Sequence, residues 1–412
     1  MKARKLRRIA ILFTLLAVIG YAFIWFMDKG TTFVVPRDTA GYIAAIRNTA
    51  TGAQVVAITP DGTINESEDF VEGKTDRDIA WDPKGNRVFF ISDRKDDSFH
   101  IYRWDPVKNH KPDQKSIDRA SRNDLTFDVQ EDRNDKFSAL VVVRGTVQEF
   151  LPDNAESHQI LPPNYKALQT DPEGGTGSTF ELIYKRYGKS FRLARWFQNR
   201  RYTAAVMRRE ENGESLIVQD SELNEDGKPR PPQLIFSADR IDIQVDPKTG
   251  ALVFTVLNVY PAMGPDGKEQ KLGFRHGIFM LDPSKGMEAM LMPIAMNPND
   301  EAAFTNATPS PDGSTMLFTV GKYLGEGAVE VQALVSCPLT PNGAQSSTPL
   351  VQGRVSYPSF SPDSQKIVYV MSQGGEQAIF VAGKDGSNPK NLTAGKGDFA
   401  QPRFSPQLSG QK

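Results

Sequence analysis

A short segment recurs along this chain of 412 residues. It reads "FSPDSQKIVYV" at 360–370, and related segments are "WDPKGNRVFFI" at 81–91, "VDPKTGALVFTV" at 245–256 and "PSPDGSTMLFTV" at 309–320. Each one joins the end of an apolar strand to a turn of Asp, Pro, Ser or Gly and then to a strand rich in Val, Ile and Phe. This pattern is typical of a β-hairpin, so the chain is predicted to be all-β.

A third strand follows each repeat segment after a polar turn, as in "FHIYRWDP" from Phe99 and "HGIFMLDP" from His276, and a weaker fourth strand closes the unit. Neighbouring segments lie 44 to 64 residues apart, except for one gap of 118 residues that leaves room for two units. The alternating sequence from Arg192 is predicted to supply a degenerate unit in that gap. Such a period with four strands per unit predicts the blades of a β-propeller.

The two ends of the repeat region are incomplete in complementary ways. "FAQPRFSPQ" from Phe399 is a first strand without a second, and the segment from Gly41 has second and third strands without a first. Pairing them would close the ring and hide two exposed sheet edges. Counting this composite blade, the sequence predicts seven blades over residues 40–408, with six or eight as alternatives, and a tail at 409–412.

The first residues differ from all that follow. Ile9–Met27 is a run of 19 residues without a charge, preceded by a cluster of Lys and Arg. Its length suits a hydrocarbon core of about 30 Å, and the basic flank is expected to stay cytoplasmic. Residues 1–28 are therefore predicted to be a transmembrane signal anchor and 29–39 a tether, with a cleaved signal peptide as the alternative.

The stretch Tyr357–Pro406 resembles the repeat of TolB-type propellers in the WD40-like superfamily. It has a first strand, a Ser-Pro-Asp turn, a second strand, a third strand "AIFVAGKDGS" and a closing "NLT". The likeness is weaker at 78–105 and 306–320, and poor between about 120 and 235. The resemblance implies a bacterial envelope protein and a fold that serves as a periplasmic protein-binding platform, as a domain accessory to serine peptidases, or rarely as an enzyme.

Several kinds of chemistry find no support in the sequence. It has no G-x-S-x-G pentapeptide, and its four histidines lack metal-binding spacing. Cys337 is the single cysteine and lies in an apolar run, which predicts a buried structural thiol. A net charge of -1 argues against a nucleic-acid partner. No catalytic residue, metal or cofactor site is therefore predicted.

One group of polar residues is a candidate binding site. Each stands four positions before the first turn residue of a repeat segment, where inner strands gather round one mouth of a propeller channel. The group consists of Asp78, Asp124, Asp242, Asn306, Tyr357 and Gln401. They are either solvated strand ends or a partly acidic ring that holds a cation or a basic side chain of a partner. Long loops near Asp171 and Pro261, and a basic stretch from Lys185 to Arg201, are further candidate surfaces.

The sequence thus predicts a single-pass protein of the bacterial inner membrane whose propeller lies in the periplasm or outside the cell. Its expected role is a scaffold that binds other envelope proteins or peptides. The alternative is a propeller-fold enzyme that acts on polysaccharide or peptide at the mouth of the channel.

Overall fold

The computed structural model describes residues 39–407 except 96–97, 109–110, 116–126, 132–136, 144–145, 152–155, 162–189, 210–211, 223–224, 226, 228–229, 231, 264–268, 271 and 286–290. Within this described part, no helix is long and apolar enough to span a membrane. The predicted transmembrane segment, all of the tether but its last residue, and the tail lie outside it. The membrane anchor therefore stays a prediction.

The described residues are almost entirely β-strands and turns, as predicted. The strands are β1 (Ile43–Asn48), β2 (Ala53–Ile58), β3 (Ile64–Glu66), β4 (Asp76–Trp81), β5 (Val88–Ser92), β6 (His100–Trp104), β7 (Asp113–Gln114), β8 (Phe127–Glu131), β9 (Phe137–Val143), β10 (Thr146–Leu151), β11 (Glu156–Leu161), β12 (Ser190–Phe197), β13 (Tyr202–Arg208), β14 (Glu214–Asp220), β15 (Gln233–Val245), β16 (Leu252–Val259), β17 (Ala262–Met263), β18 (Glu269–Gln270), β19 (His276–Leu281), β20 (Leu291–Asn297), β21 (Ala303–Pro309), β22 (Thr315–Gly325), β23 (Ala328–Pro338), β24 (Thr348–Gln352), β25 (Val355–Phe360), β26 (Lys366–Gln373), β27 (Glu376–Gly383), β28 (Lys390–Asn391) and β29 (Asp398–Phe404). Short 3₁₀ turns lie at Pro283–Lys285 and Gly343–Ser346.

These strands form five four-stranded sheets, one seven-stranded sheet and the small hairpin β17–β18. In the seven-stranded sheet, the first half of β15 pairs with β14 and its second half pairs with β16. Because β15 completes two units, the described strands make seven four-stranded blades. Blade 1 contains β29 and β1–β3, blade 2 β4–β7, blade 3 β8–β11, blade 4 β12–β14 with half of β15, blade 5 the other half with β16, β19 and β20, blade 6 β21–β24, and blade 7 β25–β28.

The blades close into a ring. The inner strands β29, β4, β8, β12, β15, β21 and β25 each contact the next one, and β25 contacts β29 again. This cyclic order encloses a central channel, as in a β-propeller. The degenerate unit predicted from Arg192 is blade 4, and the third strands predicted from Phe99 and His276 are β6 and β19.

The hydrophobic core consists of layers between neighbouring blades. Successive residues of a strand point to opposite faces of its sheet, so Val88 and Phe90 pack toward blade 1 while Phe89 and Ile91 pack toward blade 3. Each of the seven blade interfaces has such a cluster of buried residues. Cys337, which is 2% exposed, belongs to the layer between blades 5 and 6, where burial raises its pKa to about 12. The prediction of a structural thiol is confirmed.

The recurring turn has a hydrogen-bonding role on one face, which we call the turn face. In blade 7 the backbone N–H of Lys366 donates to Ser361 Oγ at 2.9 Å, and Ser361 Oγ donates to Asp363. In blade 6 Thr315 N–H donates to Ser310 Oγ at 3.0 Å, and Ser310 Oγ donates to Asp312 at 2.6 Å. The Ser-Pro-Asp sequence thus satisfies the backbone of a tight turn between the first two strands.

The chain ends meet at the composite blade. β29 pairs with β1 along its length, with a bulge opposite Ala44 and Ile46. Thr39 is fully buried; its Oγ1 donates to Gly85 O and contacts Ser405 Oγ at 2.8 Å. The last residue of the predicted tether is therefore part of the propeller, because these hydrogen bonds hold it against the turn of blade 2 and the residue that follows β29.

Candidate functional site

The candidate site lies at the face opposite the turn face, where the inner strands begin; we call it the mouth face. Five of the six predicted ring residues are described, whereas Asp124 lies outside the described residues. The five belong to the inner strands of blades 2, 5, 6, 7 and 1: Asp78, Asp242, Asn306, Tyr357 and Gln401. All inner strands run in the same direction along the channel, so these residues, each four positions before its turn, lie at a similar level along it.

Four of the ring residues share an unusual backbone. Asp78, Asn306, Tyr357 and Gln401 have φ angles of 50°, 54°, 52° and 53°, in the left-handed region that non-glycine residues rarely occupy. Each lies in a β-bulge between the inner strand and its neighbour. Because a bulge adds an unpaired residue and redirects its side chain, the same local distortion is repeated in four blades with four different side chains.

Asp242 is held by arginines. Its Oδ2 accepts a hydrogen bond from Arg240 Nε at 3.1 Å, and its Oδ1 accepts one from Arg192 Nη2 at 3.3 Å. Arg192 also donates to the Ile241 carbonyl at 2.5 Å and forms an ion pair with Glu214. This network ties blade 4 to blade 5 at the mouth, so the charge of Asp242 is already compensated.

Asp78 has a different environment. Its Oδ2 lies 3.7 Å from Arg77 Nε, and its side chain is 23% exposed. Burial raises the pKa of Asp78 to about 6, although the positive charges of Arg77 and Arg195 act in the opposite direction. Within the residues described here, no group of three or more His, Cys, Asp or Glu side chains could hold a metal ion. The mouth combines carboxylates with arginines.

Two further arginines lie deeper in the channel. Arg403 pairs with Ala44 as the second-last paired residue of β29, and Arg195 pairs with Ala204 as the third-last paired residue of β12. Burial lowers the pKa of Arg403 to about 10, with a further contribution from the positive charge of Arg195. Sequence reasoning placed Arg195 only in the basic stretch and missed Arg403, although Arg403 stands two positions after Gln401. Reading the same register one alternation further would have found Arg403.

The remainder of the predicted basic stretch is structural where it is described. Arg200 forms an ion pair with Glu149 and stacks on Trp196 at 4.1 Å. Arg201 pairs with Glu222 at 2.7 Å. Residues 184–189 and the loop at Asp171 lie outside the described part, so both surfaces stay predictions in those regions.

A polar network between blades 5 and 6 also lies at the mouth face and was not found from the sequence. Asp239 accepts hydrogen bonds from Tyr260 Oη at 2.6 Å, from Asn258 Nδ2 at 3.0 Å and from Tyr323 Oη. Burial, followed by the hydrogen bond to Asp239, raises the pKa of Tyr323 to about 12. Both tyrosines therefore act as neutral donors near pH 7.

His276 belongs to the same region. The Asn258 backbone N–H donates to its Nδ1 at 3.2 Å, so the proton is on Nε2, which lies 3.3 Å from Asp300. Burial lowers the pKa of this histidine, while Asp300 opposes the shift. The side chain is 0% exposed. These contacts make His276 a buried packing residue.

Two hairpins extend from the mouth face beside the channel. The predicted loop at Pro261 forms the hairpin β17–β18, between β16 and β19. In blade 6, β22 and β23 each continue for 11 residues, and Leu324 near their tip is 62% exposed. The second hairpin therefore places an exposed apolar side chain at the mouth face.

No protein-family model matches the sequence. Among solved structures, TolB from Acinetobacter baumannii is 14% identical with a TM-score of 0.50, and the match covers 92% of this chain and 70% of TolB. A prolyl endopeptidase structure is 12% identical with a TM-score of 0.50, covering 87% of this chain but 49% of that one. The β-propeller domain of the Trilobed protease from Pyrococcus furiosus is 13% identical with a TM-score of 0.48, covering 87% and 96%. The fold is that of a TolB-like β-propeller.

Proposed function

We propose that the protein is a membrane-anchored, extracytoplasmic β-propeller that binds other proteins or peptides as a scaffold in a bacterial cell-envelope complex. The observation that carries this proposal is the mouth face. There polar residues of the inner strands line the channel, and the exposed Leu324 lies on a hairpin that extends beyond the blade. Apolar anchors surrounded by polar groups are the usual composition of a protein-binding surface.

The position of the propeller outside the cytoplasm is proposed from the apolar run Ile9–Met27 and its basic flank. Protease added to intact spheroplasts should then degrade the propeller, and the mature chain should begin before residue 9. A chain that is fully protected in spheroplasts, or that begins after residue 27, would contradict the anchored arrangement.

The binding face can be tested with a photo-crosslinking amino acid in living cells. At Leu324 on the mouth face it should form discrete crosslinks to a partner protein. The matched control is Val107, which is 42% exposed in the turn between β6 and β7 on the turn face. Equal crosslinking at both positions, or none at Leu324, would argue against a scaffold that uses the mouth face.

The enzymatic alternative has no specific observation in its favour, and the expectation that the protein is not an enzyme stays a prediction. His276 is fully buried and hydrogen-bonded, so it is unsuited to act on a substrate in the channel. We therefore develop the scaffold proposal alone.

A further inference from the structure

The hairpin that carries Leu324 projects beyond the rest of its sheet. β22 pairs with β21 only as far as Gly321, and β23 pairs with β24 only from Ala333 onward. Beyond these residues the two strands pair only with each other in the described sheets. We call residues 322–331 the hairpin tip. A two-stranded hairpin alone is marginally stable in water, so the position of the tip depends on its contacts with the neighbouring blade.

Tyr323 attaches the hairpin tip to that blade. Its backbone N–H donates to the Asp300 carbonyl at 2.8 Å. Its Oη donates to Asp239 and accepts the Gly327 N–H at 3.4 Å. Its ring lies against the imidazole of His276 in β19, with the ring centroids 4.9 Å apart. A single side chain thus joins the tip to a carboxylate of β15 and to a histidine of blade 5.

The contacts of His276 suit the neutral imidazole. Its Nδ1 accepts the Asn258 backbone N–H at 3.2 Å, and a protonated imidazole has hydrogen on both ring nitrogens, so a proton on Nδ1 would face another donor. The side chain is 0% exposed, where a charge is unfavourable. Nε2 lies 3.3 Å from Asp300, which favours the charged form, but burial has the larger effect and lowers the pKa of His276.

The ionisable groups described around the imidazole are Asp300, Asp239, Arg275 and Tyr323. The two aspartates favour the charged histidine and Arg275 opposes it. Arg275 donates to Asp300 at 2.7 Å, so this carboxylate is already shared with a guanidinium group. Tyr323, whose pKa is about 12, stays neutral. Imidazole is the side chain whose ordinary pKa lies between about pH 5 and 8, so mild acid acts on this cluster through His276.

We propose that protonation of His276 releases the hairpin tip from blade 5, so that mild acid moves Leu324, the residue next to Tyr323. A protonated imidazole loses the hydrogen bond from Asn258 and is stabilised by water, and movement of the Tyr323 ring gives it access to water. The pH response of the tip stands by itself, whereas its effect on a partner rests on the proposed function.

The sign of the effect follows from proton linkage. In the released state the histidine has its ordinary pKa of 6.5, whereas the attached state binds the proton less tightly. The attachment is therefore fully stable above about pH 6.5 and weakens as the pH falls below that value. With one proton taken up on release, the population of released tips should rise about tenfold for each pH unit, down to the pH at which the attached histidine itself titrates.

The test measures amide hydrogen exchange of the full-length protein in detergent from about pH 7.5 to 5, by mass spectrometry of peptides that contain Asn258 or Tyr323. After correction for the intrinsic exchange rate, the opening equilibrium of both peptides should follow the tenfold slope. His276→Gln keeps an acceptor and a donor but does not titrate, so its opening should be independent of pH. His100→Gln is the matched control, since His100 is also buried but lies in blade 2, and it should keep the slope of the parent.

If His276→Gln does not fold, Tyr323→Phe provides a second test. It removes the hydrogen bonds to Asp239 and Gly327 but keeps the ring, so opening should increase at every pH. Opening of the parent that does not depend on pH, an unchanged slope in His276→Gln, or unchanged opening in Tyr323→Phe would overturn the proposal.

Photo-crosslinking at Leu324 in isolated membranes separates the pH response from the scaffold proposal. Crosslinks to a partner should decrease from about pH 7.5 to 5.5 in the parent and stay constant in His276→Gln. A tip that responds to pH without crosslinks at any pH would contradict the scaffold role and support the release of the tip. Crosslinks that do not change while the tip is released would overturn the effect on a partner.

Discussion

On the turn face, Ser310 and Ser361 make the same hydrogen bonds in neighbouring blades, whereas on the mouth face the equivalent inner-strand positions carry different side chains. Asn306 and Tyr357 nonetheless share a left-handed backbone within a bulge. In these two blades the turn face thus repeats both backbone and side chains, while the mouth face repeats the backbone alone. This comparison shows where the repeat can vary without loss of the fold: one face maintains the hairpins and the other is free to acquire a ligand.

The variant with the largest expected effect lacks β29, the inner strand of blade 1, which runs from the mouth face to the turn face. Deleting residues 398–412 takes away β29, its pairing with β1 and the buried Phe399. The deletion exposes sheet edges and removes core packing. The free energy lost should exceed the usual stability of a domain, which is about 5–15 kcal/mol. The truncated chain should aggregate and melt without a cooperative transition, as followed by circular dichroism. Deleting only 409–412 is the control, and a truncated protein that melts like the parent would rule out closure by β29.

The next effect concerns the mouth face. Arg192→Met removes the partner of Glu214, whose side chain is 11% exposed, and one partner of Asp242. An uncompensated carboxylate in a partly buried position should lower the free energy of unfolding by about 3 kcal/mol, measured in urea. Arg201→Met is the matched control, since Arg201 is 43% exposed and its removal should cost less than about 1 kcal/mol. Equal losses in the two variants would mean that the Arg192 network adds nothing beyond a surface ion pair.

A pH series compares one carboxylate from each face. The pKa of Asp78 is about 6 in the folded protein against an ordinary value of 3.8, so the folded state binds the proton more tightly. Ionisation of Asp78 therefore destabilises the fold as the pH rises from about 4 to 6. Asp78→Asn should raise the free energy of unfolding at pH 7 by about 1–2 kcal/mol and change little at pH 4.

On the turn face, ionisation of Asp312 should change the stability of the fold in the opposite direction. Hydrogen bonds from Ser310 and Ser314 lower the pKa of Asp312 to about 2, so its ionised form stabilises the fold above the ordinary value of 3.8. Asp312→Asn should therefore lower stability at pH 7, with the difference shrinking as the pH falls toward 2. Thermal unfolding from pH 2 to 7 measures both variants. The same sign of change in both would refute the assignment of opposite environments.

The smallest expected effect tests whether the equivalent serines of the turn face contribute equally to the free energy of unfolding. Ser361→Ala removes the acceptor of Lys366 N–H and the donor to Asp363. It should lower the free energy of unfolding by about 1 kcal/mol. Ser310→Ala removes the same contacts in blade 6 and should cost the same amount in urea unfolding. A marked difference between the two serines would show that the two turns are not equivalent.

The sequence predicts the fold well because its signals are local. Turn residues such as Ser361 and Asp363 are adjacent to the strands they join, and the alternation of Val, Ile and Phe marks those strands directly. The incomplete ends at Gly41 and Phe399 also reveal their pairing, since each lacks what the other supplies.

The site is predicted less well, because its contacts join blades that are distant in sequence. The register locates Asp242, but nothing near it shows that Arg192, 50 residues earlier, donates to it. Likewise, Asp239 and Tyr323 are separated by 84 residues. Charge pairing across a ring depends on which side chains the closed fold brings together, and a single sequence does not contain that information.

The shared strand β15 has a consequence for how the ring can open. At the described connections between blades 1 and 2, 5 and 6, 6 and 7, and 7 and 1, residues outside the strands separate the last strand of one sheet from the first strand of the next, so one blade can detach while its neighbour stays folded. Blades 4 and 5 have no such break, because the ladders to β14 and β16 continue into each other at Ala238. These two blades should exchange their amide hydrogens as one cooperative unit. Transient opening of the ring should therefore occur at the interfaces between other blades.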